Sequence, residues 1–366
     1  MQIDFFAEIL ALICNRSAVA SGKKLRWIII ANPMAGGFNI HSRWKKSYQA
    51  LESAKLAVQA NPQRDGNASA AAASMDGLIL TEGPGHASKI AASVIREIAS
   101  YRDADSVPFY LIVTAGGDGT SLEVLSELYR APESVRSNFA VVRLPMGTGN
   151  DGAESHDLSQ ALELLIKPTL IKLMPALQLI TAPEGPAALK GPYPAFNILS
   201  AGLDAYVTHM TNKMKGKLPG DFYKLWVDIA SLLYDRLYKV DYLDVKALDS
   251  QGAEVTSFRE KILLLAVGAS GYRTYGSQKK ILPDDRNVCA LKQMPMFRKV
   301  ALKGLFSTGG HADKPESIMF NAQCVEINGK YPILAQMDGE AILLQKEDFP
   351  IKIELIESVI PVLKLA

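Results

Sequence analysis

The chain has 366 residues, of which 48% are hydrophobic, and its formal net charge at pH 7 is +2. This length suits about two domains, and the apolar fraction supplies a large core, which excludes a disordered protein. The nearly even charge balance gives no indication of a nucleic-acid partner.

Neither the cysteines nor the first segment points to secretion or to a membrane span. The cysteines form no metal-spaced pair, which fits a reducing cytoplasm. They are Cys14, Cys289 and Cys324. No apolar run reaches the roughly 18 residues of a spanning helix. Residues 1–25 carry Asp4 where a signal peptide is basic and Glu8 within the apolar stretch, so we interpret them as an amphipathic amino-terminal extension of a cytoplasmic protein.

Strand and helix patterns alternate through the first part of the chain. Apolar runs that end in turn residues predict four strands, which are LRWIIIANP, LILTE, FYLIVTA and FAVVRLP. Between two of them, Ile90, Val94 and Ile98 recur at helical spacing. The small, polar stretch at 61–77 is predicted to be a surface insertion. The alternation predicts a doubly wound, mostly parallel sheet covered by helices on both faces.

From about Thr169 the pattern changes to strands that turn residues separate. Long helices are missing from this pattern, apart from helical stretches near 223–238 and 297–306. Such a pattern predicts an antiparallel β domain. We place the domain boundary near Pro168.

Three predicted strands end in loops that contain glycine. These loops are NPMAGG (32–37), GGDGT (116–120) and PMGTGND (145–151). The carboxyl ends of parallel strands share one edge of a doubly wound sheet, and ligands bind there. Glycine allows backbone N–H groups to approach a phosphate, and a following helix adds the positive end of its dipole. We therefore predict a phosphate site that includes Asp118, although each loop alone could be an ordinary turn.

Together the three loops resemble the diacylglycerol kinase catalytic domain, which bacterial lipid kinases, sphingosine kinases and ceramide kinases share. The resemblance extends to LTEGPGHASKIA, FNILSAGLDAYV, STGGH and QMDGE, and it covers the chain from about Arg26 onward. It implies a nucleotide-binding α/β domain of residues 26–167 that the returning tail 346–366 completes. It also implies a lipid-binding antiparallel β-sandwich of residues 168–345, with the active site in the cleft.

The resemblance further implies the residues of the site. Asp118 would join a network of Mg²⁺, water and phosphate. Asp338 or Glu340 would be the general base or would hold the nucleotide, and the pattern leaves this choice open. By itself, MDGE would be read as a hairpin turn, because Asp-Gly favours one. The residues expected to bind ATP are Asn32, Pro33, Gly36, Gly37, Thr81, Gly116, Gly117, Gly119, Thr120, Gly147, Thr148, Gly149 and Asn150.

The family pattern also suggests Asn197, Ser200 and Asp204 as substrate-binding residues, and the chain departs from that pattern in two places. After GTGND, the acidic GAESHDLSQ replaces an aromatic and a basic residue, which puts a phosphate contact from that segment in doubt. Many bacterial members bind a structural metal at an Asp-Gly pair that is missing here. Asp284 and Asp285 either replace it as metal ligands or are two solvated turn residues.

Two stretches mix basic and bulky apolar residues, namely 212–226 and 294–306. This mixture suits transient, peripheral contact with an anionic membrane surface. The alternative is a pair of amphipathic helices that face the core and leave their lysines in solvent.

The sequence therefore predicts a kinase that uses ATP and Mg²⁺ to phosphorylate a hydroxyl of diacylglycerol, a sphingoid base or a related lipid. An NAD kinase shares a GGDG loop, but GTGND argues against it. A non-catalytic lipid- or nucleotide-binding regulator is the remaining alternative, and the presence of all three acidic residues argues against that. The identity of the lipid and the oligomeric state, including a homodimer, are left open.

Overall fold

The computed structural model describes residues 2–17, 19, 23–60, 74–103, 106–147, 150–214, 234–275 and 279–366. The chain divides into two compact units, which are residues 1–174 with 357–366, and residues 175–356. Four sequence-based predictions lie wholly or partly outside the described residues. They are Thr148 and Gly149, most of the stretch 212–226, residues 223–233 of the helical stretch near 223–238, and residues 61–73 of the insertion.

The first unit alternates helices and strands, as the sequence predicts. Its strands are β1 (Leu25–Ala31), β2 (Ser74–Leu80), β3 (Phe109–Gly116) and β4 (Phe139–Pro145). Its helices are α1 (Gln2–Asn15), α2 (Gly36–Asn39), α3 (His41–Gln59), α4 (His86–Ser100), α5 (Asp118–Arg130), α6 (Glu133–Arg136) and α7 (Leu158–Ile166). One boundary in the sequence interpretation was wrong. Residues 74–77 belong to β2 rather than to the insertion, because they pair with β1 from Arg26 onward.

A parallel sheet in the order β2-β1-β3-β4 forms the centre of this unit. Every residue of β3 is buried, as expected for a strand of a parallel sheet with both faces covered. Helices α1, α3 and α7 share one apolar core with the strands. Residues Ile90, Val94 and Ile98 of α4 are buried, which confirms the predicted helix face. In α1, Phe6 and Leu10 are fully buried, so the amino-terminal segment packs into the core.

The second unit is built mainly from antiparallel strands. The strands from β5 onward are β5 (Thr169–Ile180), β6 (Tyr193–Ala195), β7 (Ile198–Gly202), β8 (Tyr242–Leu248), β9 (Glu254–Gly268), β10 (Arg273–Tyr275), β11 (Lys279–Leu282), β12 (Val288–Lys292), β13 (Ser317–Phe320), β14 (Cys324–Asn328), β15 (Ile333–Met337), β16 (Glu340–Leu344) and β17 (Ile351–Leu365). The helices are α8 (Leu203–Met214), α9 (Tyr234–Leu237) and α10 (Met296–Leu305), with 3₁₀ turns at Pro186–Leu189 and Lys346–Asp348.

The long strand β9 organises this unit. Its first half pairs with β8, which continues to β14 and to the first part of β17. Its second half pairs with β7 and β12, in the order β16-β15-β7-β9-β12-β13. Strands from both groups contribute to one apolar core. A second core packs α8, α9 and α10 against β7, β9, β12 and β15. The predicted class, a doubly wound α/β unit followed by an antiparallel β unit, is confirmed.

Among the described residues, no helix is both long and apolar enough to span a membrane.

Candidate active site

The first two glycine loops of the first unit are tied together by Asn32. Its backbone N–H donates to the carbonyl of Ala115 (2.9 Å), and its side-chain oxygen accepts from the N–H of Met34 (2.9 Å). The side-chain amide of Asn32 reaches the hydroxyl of Thr120 at 3.4 Å. The loop also closes on itself, because Asn39 donates to the carbonyl of Pro33 at 2.5 Å. Asn32 therefore fixes the distance between the first and second glycine loops, in addition to lining the edge of the sheet.

Two predicted ATP-binding glycines are needed for contact between protein segments. The N–H of Gly37 donates to the carbonyl of Met146 at 2.7 Å, and a Cβ on Gly37 would lie 2.8 Å from that oxygen. A Cβ on Gly116 would lie 2.6 Å from the hydroxyl oxygen of Thr120. A side chain at Gly37 would push the first and third loops apart, and one at Gly116 would collide with Thr120 within the second loop. Both glycines thus shape the site through packing, which the sequence pattern did not reveal.

Asp118 is the first residue of the 13-residue helix α5. Its carboxylate accepts from the N–H groups of Asp151 (3.3 Å) and Gly152 (3.2 Å), just after the third loop. Gly117 is the N-cap, and the amides of Gly119 and Thr120 fall in the first turn, where a helix has no internal acceptors. The start of α5, which is the positive end of its dipole, therefore lies where the second loop and the end of the third loop meet the Asp118 carboxylate.

In the third loop, Gly147 is bonded to Asn150 and approached by a basic side chain. Asn150 accepts from the N–H of Gly147 (2.9 Å) and donates to its carbonyl (3.1 Å). The guanidinium of Arg43 on α3 lies 3.4 Å from the same carbonyl. Arg43 belongs to no recognised motif, and its spacing on α3 gave no sign that it reaches this loop.

The loop after β2 places Thr81 beside β1, where its N–H donates to the carbonyl of Ala31 at 2.8 Å. The helix that follows already binds an internal anion. The Glu123 carboxylate of α5 accepts from the N–H groups of Gly85 (2.7 Å) and Ala87 (3.0 Å) at the start of α4. A phosphate would have to displace this carboxylate to bind there. Of the two helix starts, α5 is consequently the better phosphate site.

The departure from the family pattern after GTGND has a structural explanation. Glu154 in that segment forms a two-pronged ion pair with Arg143 of β4, with the closest approach at 2.9 Å. The side chains are 5% (Arg143) and 4% (Glu154) exposed. The acidic segment is thus anchored to the sheet, and Glu154 is engaged by Arg143 rather than directed at a ligand.

In the second unit, QMDGE forms the turn of the β15–β16 hairpin. Asp338 (φ +46°) and Gly339 (φ +100°) both lie in the left-handed region, as a two-residue hairpin turn requires. The Asp338 carboxylate accepts from three consecutive amides, those of Phe196 (2.5 Å), Asn197 (3.0 Å) and Ile198 (2.9 Å). Asp338 therefore ties the turn to the strand beside it.

Glu340 begins β16 directly after this turn, and its side chain is exposed. The two carboxylates of the motif differ in their surroundings. The Asp338 carboxylate is bound by backbone amides, and Glu340 is an exposed residue directly after the turn. Their position relative to Asp118 stays a prediction.

The three predicted substrate residues are buried. Asn197 is 5% exposed, Ser200 0% and Asp204 4%. Asn197 donates to the carbonyl of Thr274 (3.1 Å), and the Ser200 hydroxyl donates to Asp204 (2.5 Å). Gln336 also donates to both Ser200 (2.9 Å) and Asp204 (3.3 Å). These side chains form an internal network, and direct contact with a substrate stays a prediction.

Burial raises the pKa of Asp204 to about 6. Hydrogen bonds from Ser200, Tyr275 and Gln336, together with the charge of Lys279, act in the opposite direction. Desolvation is the larger effect, as expected for a carboxyl group that is cut off from water.

Asp284 and Asp285, the predicted metal ligands, do not share a ligand-binding arrangement, because Asp284 is paired with an arginine and Asp285 is exposed. The Arg286 guanidinium binds both oxygens of Asp284, at distances from 2.5 to 3.1 Å, and holds the pKa of this carboxyl below its usual value. Asp285 is exposed. Over the part of the chain that the structure describes, no group of three or more His, Cys, Asp or Glu side chains could hold a metal. The arginine thus occupies the oxygens that a cation would need.

Comparisons with known proteins show which proteins the chain resembles. Residues 26–175 match the family model described as "Diacylglycerol kinase catalytic domain". "Probable lipid kinase YegS-like" from Yersinia enterocolitica is 25% identical over 247 residues, which cover 66% of this chain and 75% of that protein. "Probable lipid kinase YegS" from Salmonella typhimurium is 26% identical over 246 residues, which cover 66% and 74%. A diacylglycerol kinase structure from Bacillus anthracis strain Sterne has a TM-score of 0.52 at 15% identity, with 93% of this chain and 96% of that chain covered, and so shares the fold.

The different surroundings of the two motif carboxylates lead to a testable difference. Asp338→Asn should lower the free energy of unfolding by about 1–3 kcal/mol, because an amide NH₂ would replace an acceptor that faces backbone N–H groups. Glu340→Gln should change the stability by no more than about 0.5 kcal/mol, because the side chain is exposed. Urea unfolding of both variants measures the difference. Equal losses of stability would contradict the anchoring role of Asp338.

The raised pKa of Asp204 predicts a pH-dependent stability. The folded protein binds the Asp204 proton more tightly than the unfolded chain does, so this group favours folding increasingly as the pH falls from about 6 to about 4. Over this range, wild type should gain about 2 kcal/mol of stability relative to Asp204→Asn. Urea unfolding of both proteins between pH 4 and 7.5 measures it. Parallel stability curves would show that Asp204 has an ordinary pKa.

Proposed function

We propose that this chain is a lipid kinase that transfers the γ-phosphate of ATP to a lipid hydroxyl, because residues 26–175 match the model of the diacylglycerol kinase catalytic domain. The acceptor class is diacylglycerol, a sphingoid base or a related lipid. The observation that carries the proposal is the position of Asp118 at the start of α5, where amides of the third loop hold its carboxylate.

The chemistry of this edge suits a triphosphate. Phosphoryl transfer needs positioning and charge neutralisation more than covalent participation by the protein. The first-turn amides of α5 offer donors to phosphate oxygens, and the Arg43 guanidinium near Gly147 offers a positive charge. Asn32 keeps the loops at their spacing, since it contacts both Ala115 and Thr120.

The residues at this edge also fit Mg²⁺. Mg²⁺ in kinases is commonly bound through one or two carboxylates together with phosphates and water, so a full protein cage is not required. Asp118 would hold the ion through water, as the family pattern suggests. When bound, the ion supplies neutralisation of phosphate charge. The protein's share is to keep the Asp118 carboxylate oriented, and the amides of Asp151 and Gly152 support that orientation.

The surroundings of the hairpin turn favour Glu340 as the general base. In the proposed reaction, Glu340 accepts the proton of the lipid hydroxyl while the new O–P bond forms and the bond to the ADP oxygen breaks. Asp338 already accepts hydrogen bonds from Phe196, Asn197 and Ile198, so we assign it to holding the turn. This assignment resolves the choice that the sequence pattern leaves open.

The proposed activity is tested with radiolabelled ATP and a total lipid extract, followed by identification of the labelled product. Wild type should label a lipid in the presence of Mg²⁺. Asp118→Asn should lower kcat at least about 10²-fold, because it removes a positioned charge while the shape is kept. Glu163→Gln, which alters an exposed ion pair with Lys167 in the same unit, should leave kcat unchanged.

Full turnover by Asp118→Asn would remove this residue from the mechanism, and labelling of NAD instead of lipid would overturn the proposed function.

A lipid acceptor also requires access to a bilayer, and α10 offers a suitable surface. Phe297 is 71% exposed, Val300 53% and Met296 45%, so apolar side chains point to solvent along one face. Basic residues of the helix are held in ion pairs, Arg298 with Glu316 (2.6 Å) and Lys299 with Asp235 (2.7 Å). The opposite face of α10 packs into the core through the buried Leu302, as the sequence alternative expects, while Met296, Phe297 and Val300 stay exposed.

The basic residues near this face are largely neutralised by ion pairs, Arg298 with Glu316 and Lys299 with Asp235, so the exposed apolar side chains are what favours a bilayer. We propose that the apolar face of α10 inserts into the interfacial layer of the bilayer.

Vesicle sedimentation tests this surface. Phe297→Ser combined with Val300→Ser should weaken binding to phosphatidylcholine vesicles at least about 10-fold. Burial of these two apolar side chains in the bilayer should contribute more than about 1.4 kcal/mol to the free energy of binding. Leu189→Ser is the matched control, since Leu189 is 91% exposed in the same unit but lies on another element. It should bind like wild type. Equal binding by the double variant and wild type would exclude α10 as the docking face.

A further inference from the structure

Gln336 connects the buried network of the second unit to the hairpin turn. Its side-chain oxygen accepts from the N–H of Gly339 at 2.8 Å. Its side-chain NH₂ donates to the Ser200 hydroxyl at 2.9 Å and to Asp204 at 3.3 Å. Gln336 and Ser200 are both fully buried, so water does not compete for these bonds.

Asp204 sets the direction of the whole chain of hydrogen bonds. A carboxylate only accepts, so the Ser200 hydroxyl gives its single proton to Asp204 (2.5 Å) and can only accept from Gln336. The NH₂ group of Gln336 must then face Ser200 and Asp204, and its oxygen must face Gly339. The reversed amide would place a donor against the Gly339 N–H, which is costly in a buried site.

The same turn is held from its other side by α8, the helix that carries Asp204. Asn212 of α8 donates to the carbonyl of Gly339 at 2.8 Å. The Gly339 peptide is therefore bound at its N–H through Gln336 and at its carbonyl through Asn212. Glu340 is the next residue, and it is paired with Met337 across the turn.

We propose that Asp204 and Gln336 are positioning residues, whose buried hydrogen-bond chain orients the Gly339 peptide and thereby places the Glu340 carboxylate for proton transfer. The catalytic part of this proposal rests on the proposed function. Active-site groups need to be held within about 0.5 Å of their working geometry, and a misplacement of about 1 Å can cost about 10²-fold in rate. The burial of Ser200 and Asp204 agrees with this indirect role.

A charge-exchange cycle tests the proposal. Gln336→Glu places a second carboxyl group beside Asp204, and the pair can share one proton, so the variants are measured from pH 6 to pH 9; once both groups are ionised, repulsion should move the side chain away from the turn. Asp204→Asn should have a small effect alone, because one amide oxygen can still accept from Ser200 and Gln336. When Asp204→Asn is combined with Gln336→Glu, the side-chain NH₂ introduced at position 204 can donate to the new carboxylate, whose other oxygen accepts from Gly339. Gln293→Glu makes the same change at an exposed site and is the matched control.

Two readouts on the folded variants are expected to agree. Amide hydrogen exchange at Gly339 should be at least about 10-fold faster in Gln336→Glu than in wild type, and kcat should be at least about 10-fold lower. Both should return to within about threefold of wild type in the double variant and stay unchanged in Gln293→Glu.

Lost stability without a change in kcat or in Gly339 exchange would overturn the proposal, as would a double variant no better than Gln336→Glu. If wild type phosphorylates no lipid, the proposed function fails. The exchange data then still decide whether Asp204 and Gln336 hold the turn.

Discussion

The parallel hydrogen bonding of β1, β3 and β4 is the constraint on which the first unit depends. It aligns the carboxyl ends of three strands, so the loops that follow them must share one edge. The loops then touch at short range, as the bond from Gly37 to Met146 and the contact from Asn32 to Thr120 show. The edge combines the start of a long helix, a carboxylate and a nearby guanidinium, and this combination is suited to phosphate chemistry.

In the second unit, hydrogen bonds to carboxylates position the hairpin turn. Asp338 binds three amides of the neighbouring strand, and Asp204 directs a buried chain that ends at Gly339. Both acidic groups stabilise the conformation of one turn from opposite ends. The exposed carboxylate next to that turn is Glu340. In our proposal Asp338 and Asp204 hold this turn, and Glu340 is the general base.

Internal ion pairs and caps also show which positions are already occupied. Glu123 binds the start of α4, Arg286 binds Asp284, and Arg143 binds Glu154. Each of these charged side chains binds a group that could otherwise bind a ligand. Glu123 takes the place of an anion at the start of α4, and Arg286 takes the place of a cation at Asp284. From the sequence alone, the start of α4, Asp284 and the acidic segment with Glu154 would all remain candidate ligand-binding positions.

The sequence by itself determined the fold class and the motif residues. Alternating strands and helices followed by closely spaced strands indicated the two kinds of unit, because hydrophobic periodicity is a local property. The Asp-Gly turn and the helix face of Ile90, Val94 and Ile98 were readable for the same reason. Only the tertiary structure decided what each motif residue contacts. Gly37 faces Met146, Asp338 faces the amides near β7, and Arg43 reaches Gly147 across about 100 residues. These partners are distant in the chain, so no local pattern encodes them, and burial of Ser200 and Asp204 depends on packing that only the folded chain defines.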